Sequence, residues 1–346
     1  MENVLHTLRN HICKEDALEI LKREPFQRVV FSFYRYVILD DPMALRNELF
    51  AEWMTLGALG RIYLATEGIN AQMSVPEPNF EKFRKLLYAR AAFKDVPFKV
   101  GVEQKDDAFW KLTIKVRRQI VADGLKPEEY DVTDVGTHLT AREWNEMSEK
   151  PETVVVDMRN NYESAVGRFD TALCPDAYTF KEELPAAKAL LQGQEDKQVL
   201  LYCTGGIRCE KASAYLKSQG FRKVYQLHGG IVEYAHQVER EGLVSKFKGV
   251  NFVFDERLGE RITDDVLGKC HQCGIACDDY TNCLNEQCNL LFIQCALCQE
   301  KLAGCCDTEC QAIAALPAEE RTRLRKGKEF PKNADTFRAR ITVAHS

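Results

Sequence analysis

The segment VLLYCTGGIRC spans residues 199–209 and joins an apolar run to a glycine-rich loop that starts with a cysteine. The apolar run predicts a short buried strand, and the residues after the loop have a helical pattern. Gly205-Gly206 permit a tight curl in which five backbone N–H groups face one centre. Together with Arg208 and the helix start, they lower a thiol pKa and stabilise an anion on Cys203. We predict that Cys203 is catalytic and that its anion-binding loop consists of Thr204, Gly205, Gly206, Ile207 and Arg208. The alternative is a Cys203 buried as a small apolar side chain.

Buried strands and helical patterns alternate on both sides of this segment. Thr153–Asp157 and Lys223–Leu227 read as further buried strands. Strands that alternate with helices predict a parallel α/β sheet, here over residues 130–242. Such sheets place their sites at the carboxyl ends of the strands, where Cys203 stands.

The amino-terminal part, residues 1–125, predicts a different fold. After a helical lead-in, the order of elements is β-α-β-β-α-β, which is that of a ferredoxin-like or acylphosphatase-like sandwich. Residues 111–117 alternate between apolar and basic side chains, so that the basic ones share one face. That row could lie along a phosphate backbone, although the residues slightly favour the alternative of an ordinary solvated face. The row consists of Lys111, Lys115 and Arg117.

Ten of the 14 cysteines lie between Cys270 and Cys310, within a linker and Cys-rich module over residues 247–312. In a reducing compartment this density favours metal over disulfides, and two Cys-x2-Cys pairs are typical of zinc knuckles. We predict two structural zinc ions in interleaved sites, one formed by Cys270, Cys273, Cys295 and Cys298 and the other by Cys283, Cys288, Cys306 and Cys310. Sequential pairing and an iron–sulfur cluster are the alternatives, and Cys277 and Cys305 are spare.

The net charge of −5 is unevenly distributed. Residues 313–346 form a basic tail, while the rest of the chain is acidic. A basic tail on an acidic body favours a nucleic-acid partner, with a solubilising tail as the alternative. The candidates for contact are Arg321, Arg323, Arg325, Lys326 and Lys328. The start of the chain has no signal-peptide pattern and no apolar run long enough to span a membrane, which predicts a cytoplasmic protein.

The middle domain resembles the rhodanese fold in the order and spacing of several short motifs. These are Asp157-Met158-Arg159, Tyr162-Glu163, Gly167, the Cys203–Arg208 loop and Gly229-Gly230. Four residues separate Cys203 from Arg208, as in rhodanese sulfurtransferases, whereas the related phosphatases have five. The resemblance implies a cradle that fits a persulfide on Cys203.

Four further residues of this domain carry expectations. Asp157 and Arg159 are predicted to be structural, with Arg159 paired to an acidic partner such as Glu163. Cys209 is either a resolving thiol or part of the core. Arg168 stands where many rhodaneses carry a histidine, a position that does not hold the nucleophile.

The whole chain strongly resembles the bacterial rhodanese-domain tRNA uridine hydroxylase family. The resemblance rests on ATEGINA (residues 65–71), CTGGIRCEKA (203–212), the linker NFVFDERLGERI (251–262) and the spacing of the cysteines. It implies an oxygen-dependent 5-hydroxylation of the wobble uridine of tRNA, with molecular oxygen as co-substrate and with Cys203 required. The electron donor is not readable from the sequence.

The residues by themselves favour a different activity. They predict a rhodanese-type sulfurtransferase acting on tRNA or a small sulfur carrier. Nothing in them shows an oxygenase, because neither a GxGxxG fingerprint nor an iron-binding triad is readable. A non-catalytic RNA-binding scaffold is a third hypothesis. The intact loop from Cys203 to Arg208 argues against that scaffold.

Overall fold

A computed structural model describes residues 12–126 and 129–325. The amino-terminal unit begins with helix α1 (Lys14–Leu21) and a five-stranded sheet follows. Its elements are β1 (Arg28–Tyr36), α2 (Pro42–Thr55), β2 (Leu59–Ala65), β3 (Gly68–Pro76), α3 (Glu77–Tyr88), a 3₁₀ turn (Ala91–Phe93), β4 (Lys99–Val100) and β5 (Leu112–Val116). The strand order is β4-β1-β3-β2-β5, with only β2 and β5 parallel. This confirms the acylphosphatase-like prediction.

One face of this sheet is covered by its own two helices. Phe31 and Phe33 of β1 pack with Trp53 of α2 and Phe83 of α3 in a closed apolar core. The residues that alternate with them, such as Tyr34, point to the other face. That face is turned towards the second domain, where it contacts the Cys203 loop.

The second domain is a parallel sheet with helices on both faces, which confirms the α/β prediction. Its elements are β6 (Thr137–Leu139), α4 (Ala141–Ser148), β7 (Thr153–Asp157), α5 (Asn161–Ser164), β8 (Gly167–Phe169), β9 (Ala172–Leu173), α6 (Phe180–Leu190), β10 (Gln198–Tyr202), α7 (Ile207–Ser218), β11 (Lys223–Leu227) and α8 (Gly230–Glu241). The strand order is β6-β11-β10-β7-β9. The central position of β10 places the loop after it at the middle of the sheet's carboxyl edge.

The segment after the second domain is not a free linker. It forms β12 (Phe247–Asn251), which pairs antiparallel with β8, and β13 (Glu260–Arg261). The apolar run Phe252–Phe254 predicts a strand from sequence, and this prediction is wrong: the strand lies earlier, because β8 offers a free edge to residues 247–249. The linker is thus fixed to the rhodanese-like domain.

The Cys-rich module contains little regular structure. Its elements are β14 (Tyr280–Asn282), β15 (Leu291–Ile293), α9 (Ala296–Lys301), α10 (Thr308–Ala314) and α11 (Ala318–Arg325). The Tyr280 hydroxyl donates to the backbone oxygen of Tyr162 over 2.7 Å, which ties the module to the second domain. Within the described ranges, no helix is long and apolar enough to cross a membrane.

Candidate active site

Cys203 follows directly after β10, and its side chain is fully buried. The backbone N–H of Gly206 donates a hydrogen bond to the Cys203 Sγ over 3.1 Å. Gly206 has a φ of +90°, and a Cβ there would lie 3.0 Å from the Tyr34 hydroxyl. The loop therefore needs glycine at 206 for its backbone conformation and for close packing against β1.

A second loop, at the start of α8, holds the first one in place. The N–H groups of Ile231 and Val232 donate to the backbone oxygens of Cys203 and Thr204 over 3.0 and 3.2 Å. A Cβ on Gly230 would lie 2.5 Å from the Cys203 carbonyl oxygen, so only glycine allows this approach. The backbone oxygens of Cys203 and Thr204 thus accept hydrogen bonds from α8, while the backbone N–H groups of the loop are available to the Cys203 sulfur.

The loop favours the thiolate form of Cys203. Burial opposes ionisation, but the hydrogen bond from the Cys209 thiol, the charge of Arg208 and backbone N–H groups outweigh it. Together they lower the pKa of Cys203 from 9.0 to about 6. Burial and the bond to Cys203 raise the pKa of Cys209 well above its ordinary value, so Cys209 is the proton donor of the pair.

Arg208 is fixed by a buried carboxylate from α5. Its Nη1 donates to Glu163 Oε2 over 2.6 Å and its Nη2 to Glu163 Oε1 over 2.9 Å. Nη2 also lies 3.3 Å from the Thr204 hydroxyl. The pairing suggested from sequence, Arg159 with Glu163, is wrong, because Glu163 is already bound on both oxygens by Arg208.

Asp157 and Arg159 instead pair with each other below the sheet edge. Arg159 Nε and Nη2 donate to the two Asp157 oxygens over 2.8 and 2.7 Å, and the Tyr202 hydroxyl donates to Asp157 over 2.6 Å. Arg159 also donates to the Gly167 backbone oxygen over 2.6 Å. Both side chains are fully buried and hold β7, β8 and β10 together, in keeping with a structural role.

A second carboxyl group lies in the same region without an ionic partner. Glu183 of α6 is fully buried, and within the described residues neither of its oxygens has a hydrogen-bond partner. Burial raises the pKa of Glu183 well above its ordinary value. The carboxylate that binds Arg208 is Glu163 and not Glu183.

The amino-terminal domain closes over the Cys203 loop. The Tyr34 hydroxyl donates to Glu210 over 2.9 Å, and the Lys99 ammonium lies 3.8 Å from the centre of the Tyr34 ring. Burial lowers the pKa of Lys99 to about 8, although Cys203 and Glu210 act in the opposite direction. Sequence reasoning missed both residues, since β4 is only two residues long and neither lies in a recognisable motif.

Two cavities flank this closed centre. One, of about 380 Å³, lies between Tyr34, His138, Glu210 and His228. The other, of about 420 Å³, lies where all three parts of the chain meet. We call the second one the aromatic cleft; its ring-bearing residues are Tyr162, Tyr178, Phe252 and Phe254.

The cysteines of the third module form two separate groups of four. The members of each group lie with their sulfur atoms within 4.8 Å of one another: Cys270, Cys273, Cys295 and Cys298 in the first, and Cys283, Cys288, Cys306 and Cys310 in the second. These are the interleaved sets predicted from sequence, not sequential pairs.

The sulfur spacing fits a single tetrahedral ion. Cys273 and Cys295 are 3.6 Å apart at sulfur, and Cys288 and Cys306 are 3.7 Å apart. With Zn–S bonds of about 2.3 Å, the edge of a tetrahedron is about 3.8 Å. The two spare cysteines, Cys277 and Cys305, are buried in the adjoining apolar clusters.

The basic candidates occupy two places. Lys115 is exposed on β5, an edge strand, and the exposed Arg117 directly follows that strand. Lys111 precedes β5, with its ammonium 4.2 Å from the centre of the Trp110 ring. In the tail, Arg321, Arg323 and Arg325 lie on α11, where Arg325 contacts Glu286 over 3.2 Å. Lys326 and Lys328 lie outside the described residues. The two basic regions thus belong to the first domain and to the last helix that the structure describes.

Fold and cradle together define a rhodanese-like protein with an acylphosphatase-like domain before it and a Cys-rich module after it. Family models agree: the UPF0176 acylphosphatase like domain matches residues 28–120, the rhodanese-like domain 140–237 and the rhodanase C-terminal region 248–311.

Curated relatives match over nearly the full length. The chain is 53% identical to the tRNA uridine(34) hydroxylase of Leptospira interrogans, over 93% of this chain and 88% of the relative. It is 49% identical to the enzyme of that name from Cronobacter sakazakii, over 93% of each chain, and 46% identical to that from Yersinia pestis, over 93% and 91%. The chain belongs to the tRNA uridine(34) hydroxylase family.

Proposed function

We propose that this protein catalyses the oxygen-dependent 5-hydroxylation of the wobble uridine of tRNA, with Cys203 as its essential reactive group. The observation that carries the proposal is the near-full-length similarity to relatives named tRNA uridine(34) hydroxylase, combined with an intact thiolate cradle. Because its substrate is tRNA, the protein acts in the cytoplasm. Molecular oxygen is the co-substrate, and the reaction also needs an electron donor.

Cys203 supplies an anionic sulfur in a closed, water-poor centre. Its thiolate is held by the Gly206 N–H and by Cys209, and Arg208 is oriented by Glu163 to add positive potential. The same donors suit the terminal sulfur of a persulfide. These features support a reactive cysteine and argue against a non-catalytic scaffold, which has no need for a stabilised thiolate.

The two groups of four cysteines are proposed to hold zinc. Four thiolates at tetrahedral spacing bind zinc as a closed structural site, with no open position for a substrate. We assign zinc the role of folding residues 270–310 against the rhodanese-like domain. It takes no part in the chemistry at Cys203.

Transfer RNA is proposed to bind through its phosphates to the basic row and the tail cluster. The row consists of Lys111, Lys115 and Arg117, and the cluster of Arg321, Arg323, Arg325, Lys326 and Lys328. Phosphate contacts position a nucleic acid without reading its sequence. Exposure of Lys115, Arg117 and Arg323 supports this assignment.

The decisive experiment is mass spectrometry of tRNA nucleosides from a strain that lacks this protein. Loss of 5-hydroxyuridine and of the nucleosides made from it supports the hydroxylase. Loss of thiouridine instead would assign the protein as a sulfurtransferase, the activity that the rhodanese loop alone would favour. Complementation with the Cys203→Ser variant separates a catalytic loss from a loss of the protein.

A further inference from the structure

The aromatic cleft is a composite of all three parts of the chain. Arg61 of β2 stands at its rim, Tyr162 and Tyr178 come from the rhodanese-like domain, and Phe252 and Phe254 come from the linker. The Cys-rich module adds two amide side chains, those of Asn282 and Asn289. Its volume of about 420 Å³ lies in the range of sites for small organic groups.

The rings of the cleft are held rigidly. Tyr162 and Phe252 meet edge to face with ring centres 5.3 Å apart, and Phe252 meets Phe254 in the same way, also at 5.3 Å. Tyr280 packs on Phe252 from behind at 5.4 Å. Rigid aromatic walls of this kind are the platforms on which proteins stack unpaired bases.

The polar groups at the cleft favour a base over a phosphate. Asp255 is held by the Arg257 guanidinium over 2.8 and 2.6 Å, and Glu256 by Lys14 over 2.7 Å, so two carboxylates line the cleft. Asn282 and Asn289 are exposed, and among the described residues their amides have no hydrogen-bond partner. An amide both donates and accepts, as the edge of a uracil base does.

The cleft lies against the loop of Cys203. The Thr204 hydroxyl is 3.5 Å from the backbone oxygen of Phe252, and the Arg208 guanidinium lies 5.8 Å from the centre of the Phe254 ring. The linker rings therefore form a wall shared by the cleft and the catalytic loop.

The basic row leads to this cleft. β2 and β5 are parallel neighbours, with Tyr63 opposite Lys115 and Arg61 opposite Thr113. Arg61 therefore lies on the same face of the sheet as Lys115 and Arg117, the face opposite the two helices, at its exposed β2–β5 edge. A phosphate backbone that follows these side chains arrives at the rim of the cleft, where Arg61 donates to the backbone oxygen of Phe254 over 3.3 Å.

We propose that the aromatic cleft binds the unpaired uracil base of the anticodon loop, splayed out of its stack between aromatic side chains and read by the amides of the Cys-rich module. This inference rests on the proposed function, since it takes tRNA as the substrate. It assigns the linker and the Cys-rich module a direct part in recognition. Unpaired bases are the usual target of sequence-specific RNA recognition, because their faces and edges are accessible.

The test measures binding of two synthetic anticodon stem-loops to the full-length protein. One has uridine at the wobble position, and the other is abasic there but otherwise identical. Wild-type protein is expected to bind the uridine stem-loop about ten-fold more tightly, the range of one stacked base. Tyr178→Ala should abolish this difference, while Tyr178→Phe, which keeps the ring, should retain it. Asn282→Ala should reduce it.

The outcomes separate this proposal from the proposed function. Equal affinity of wild-type protein for both stem-loops, with tight binding of each, overturns the cleft and leaves the tRNA substrate standing. A preference for uridine that survives in Tyr178→Ala, Phe254→Ala and Asn282→Ala overturns it as well. If neither stem-loop binds, the proposed function fails and the cleft fails with it. Melting curves and the alkylation rate of Cys203 confirm that each variant is folded.

Discussion

At the scale of single residues, Cys203 differs from the other cysteines outside the metal groups because its environment stabilises its anion. We predict that Cys203→Ser abolishes hydroxylation and changes the free energy of unfolding by no more than about 1 kcal/mol, since serine fits the same space. Cys209→Ser should remain active, because a hydroxyl still donates to the thiolate. Nucleoside analysis of tRNA treated with each variant measures the remaining hydroxylation. Full activity in Cys203→Ser would show that Cys203 takes no part in the reaction.

The hydrogen bond from Cys209 has a measurable effect on acidity. The thiolate is the form that reacts with iodoacetamide, so labelling of Cys203 should speed up as the pH rises through about 6 and level off above it. In Cys209→Ala the donor is lost, and we predict that the midpoint moves to higher pH, whereas Cys209→Ser should stay near the wild type. Mass-spectrometric labelling rates between pH 5 and 9 give the three midpoints. Coincident profiles for wild type and Cys209→Ala would contradict the role of this bond.

At the scale of elements, the Cys-rich module depends on metal and the rhodanese-like sheet does not. The sheet has its own apolar cores on both faces, whereas residues 270–310 consist of short strands and helices around the thiolates. We predict about two zinc ions per chain, and that chelation exposes residues 270–310 to hydrogen exchange while β7, β10 and β11 stay protected.

Hydrogen-exchange mass spectrometry with and without chelator measures this, with elemental analysis for the ion. Iron with stoichiometric sulfide, or no metal in freshly purified protein, would refute zinc. Loss of protection across the whole sheet on chelation would show instead that the module and the domain unfold together.

Local elements were predictable from the sequence where a single segment carries the signal. The apolar run before Cys203, the glycines after it and the Cys-x4-Arg spacing all lie within one short stretch, so the cradle and its helix were read directly. The interleaved cysteine sets were one of two pairings that the spacing allowed, and only the structure decides against sequential pairing. The residues that define the Cys203 loop are close neighbours in the chain, whereas each cysteine group joins two separated pairs.

Long-range partners could not be predicted in this way. Glu163 and Arg208 are 45 positions apart, and nothing in the spacing favours that pair over Glu163 with Arg159. Tyr34 and Lys99 reach the Cys203 loop only because two domains pack together. The strand of the linker lies at residues 247–251 and not at 252–254, because the free edge of β8 pairs with it there. That pairing depends on tertiary structure.

At the scale of the whole molecule, the proposed tRNA contacts come from two separate surfaces, the basic row of the first domain and the tail cluster. We predict that neutralising Arg321, Arg323, Arg325, Lys326 and Lys328 weakens tRNA binding and lowers the slope of log affinity against log salt by roughly 0.7–0.9 for each lost contact. Neutralising Lys111, Lys115 and Arg117 should do the same. Alkylation of Cys203 should not change in either variant.

A control variant neutralises Lys82, Arg84 and Lys85, which are exposed on α3 on the opposite face of the same sheet. It removes a comparable charge from a surface that is not expected to touch RNA. If this control lowers the salt slope as much as the basic row does, the effect is one of net charge and not of contact.

The buried Lys211 couples the stability of the two large domains. Its ammonium, on the helix that follows the catalytic loop, is fully enclosed and lies 3.0 Å from Glu67 of the first domain and 3.0 Å from Asp123 of the connecting segment. Removing one partner of such a buried network costs about 3–5 kcal/mol, so neither domain is at its most stable alone. We expect a single calorimetric melting peak for the two domains in the wild type and two peaks in Lys211→Met. If the two domains of the wild type already melt in two steps, Lys211 does not couple their unfolding, and the domains are independent folding units.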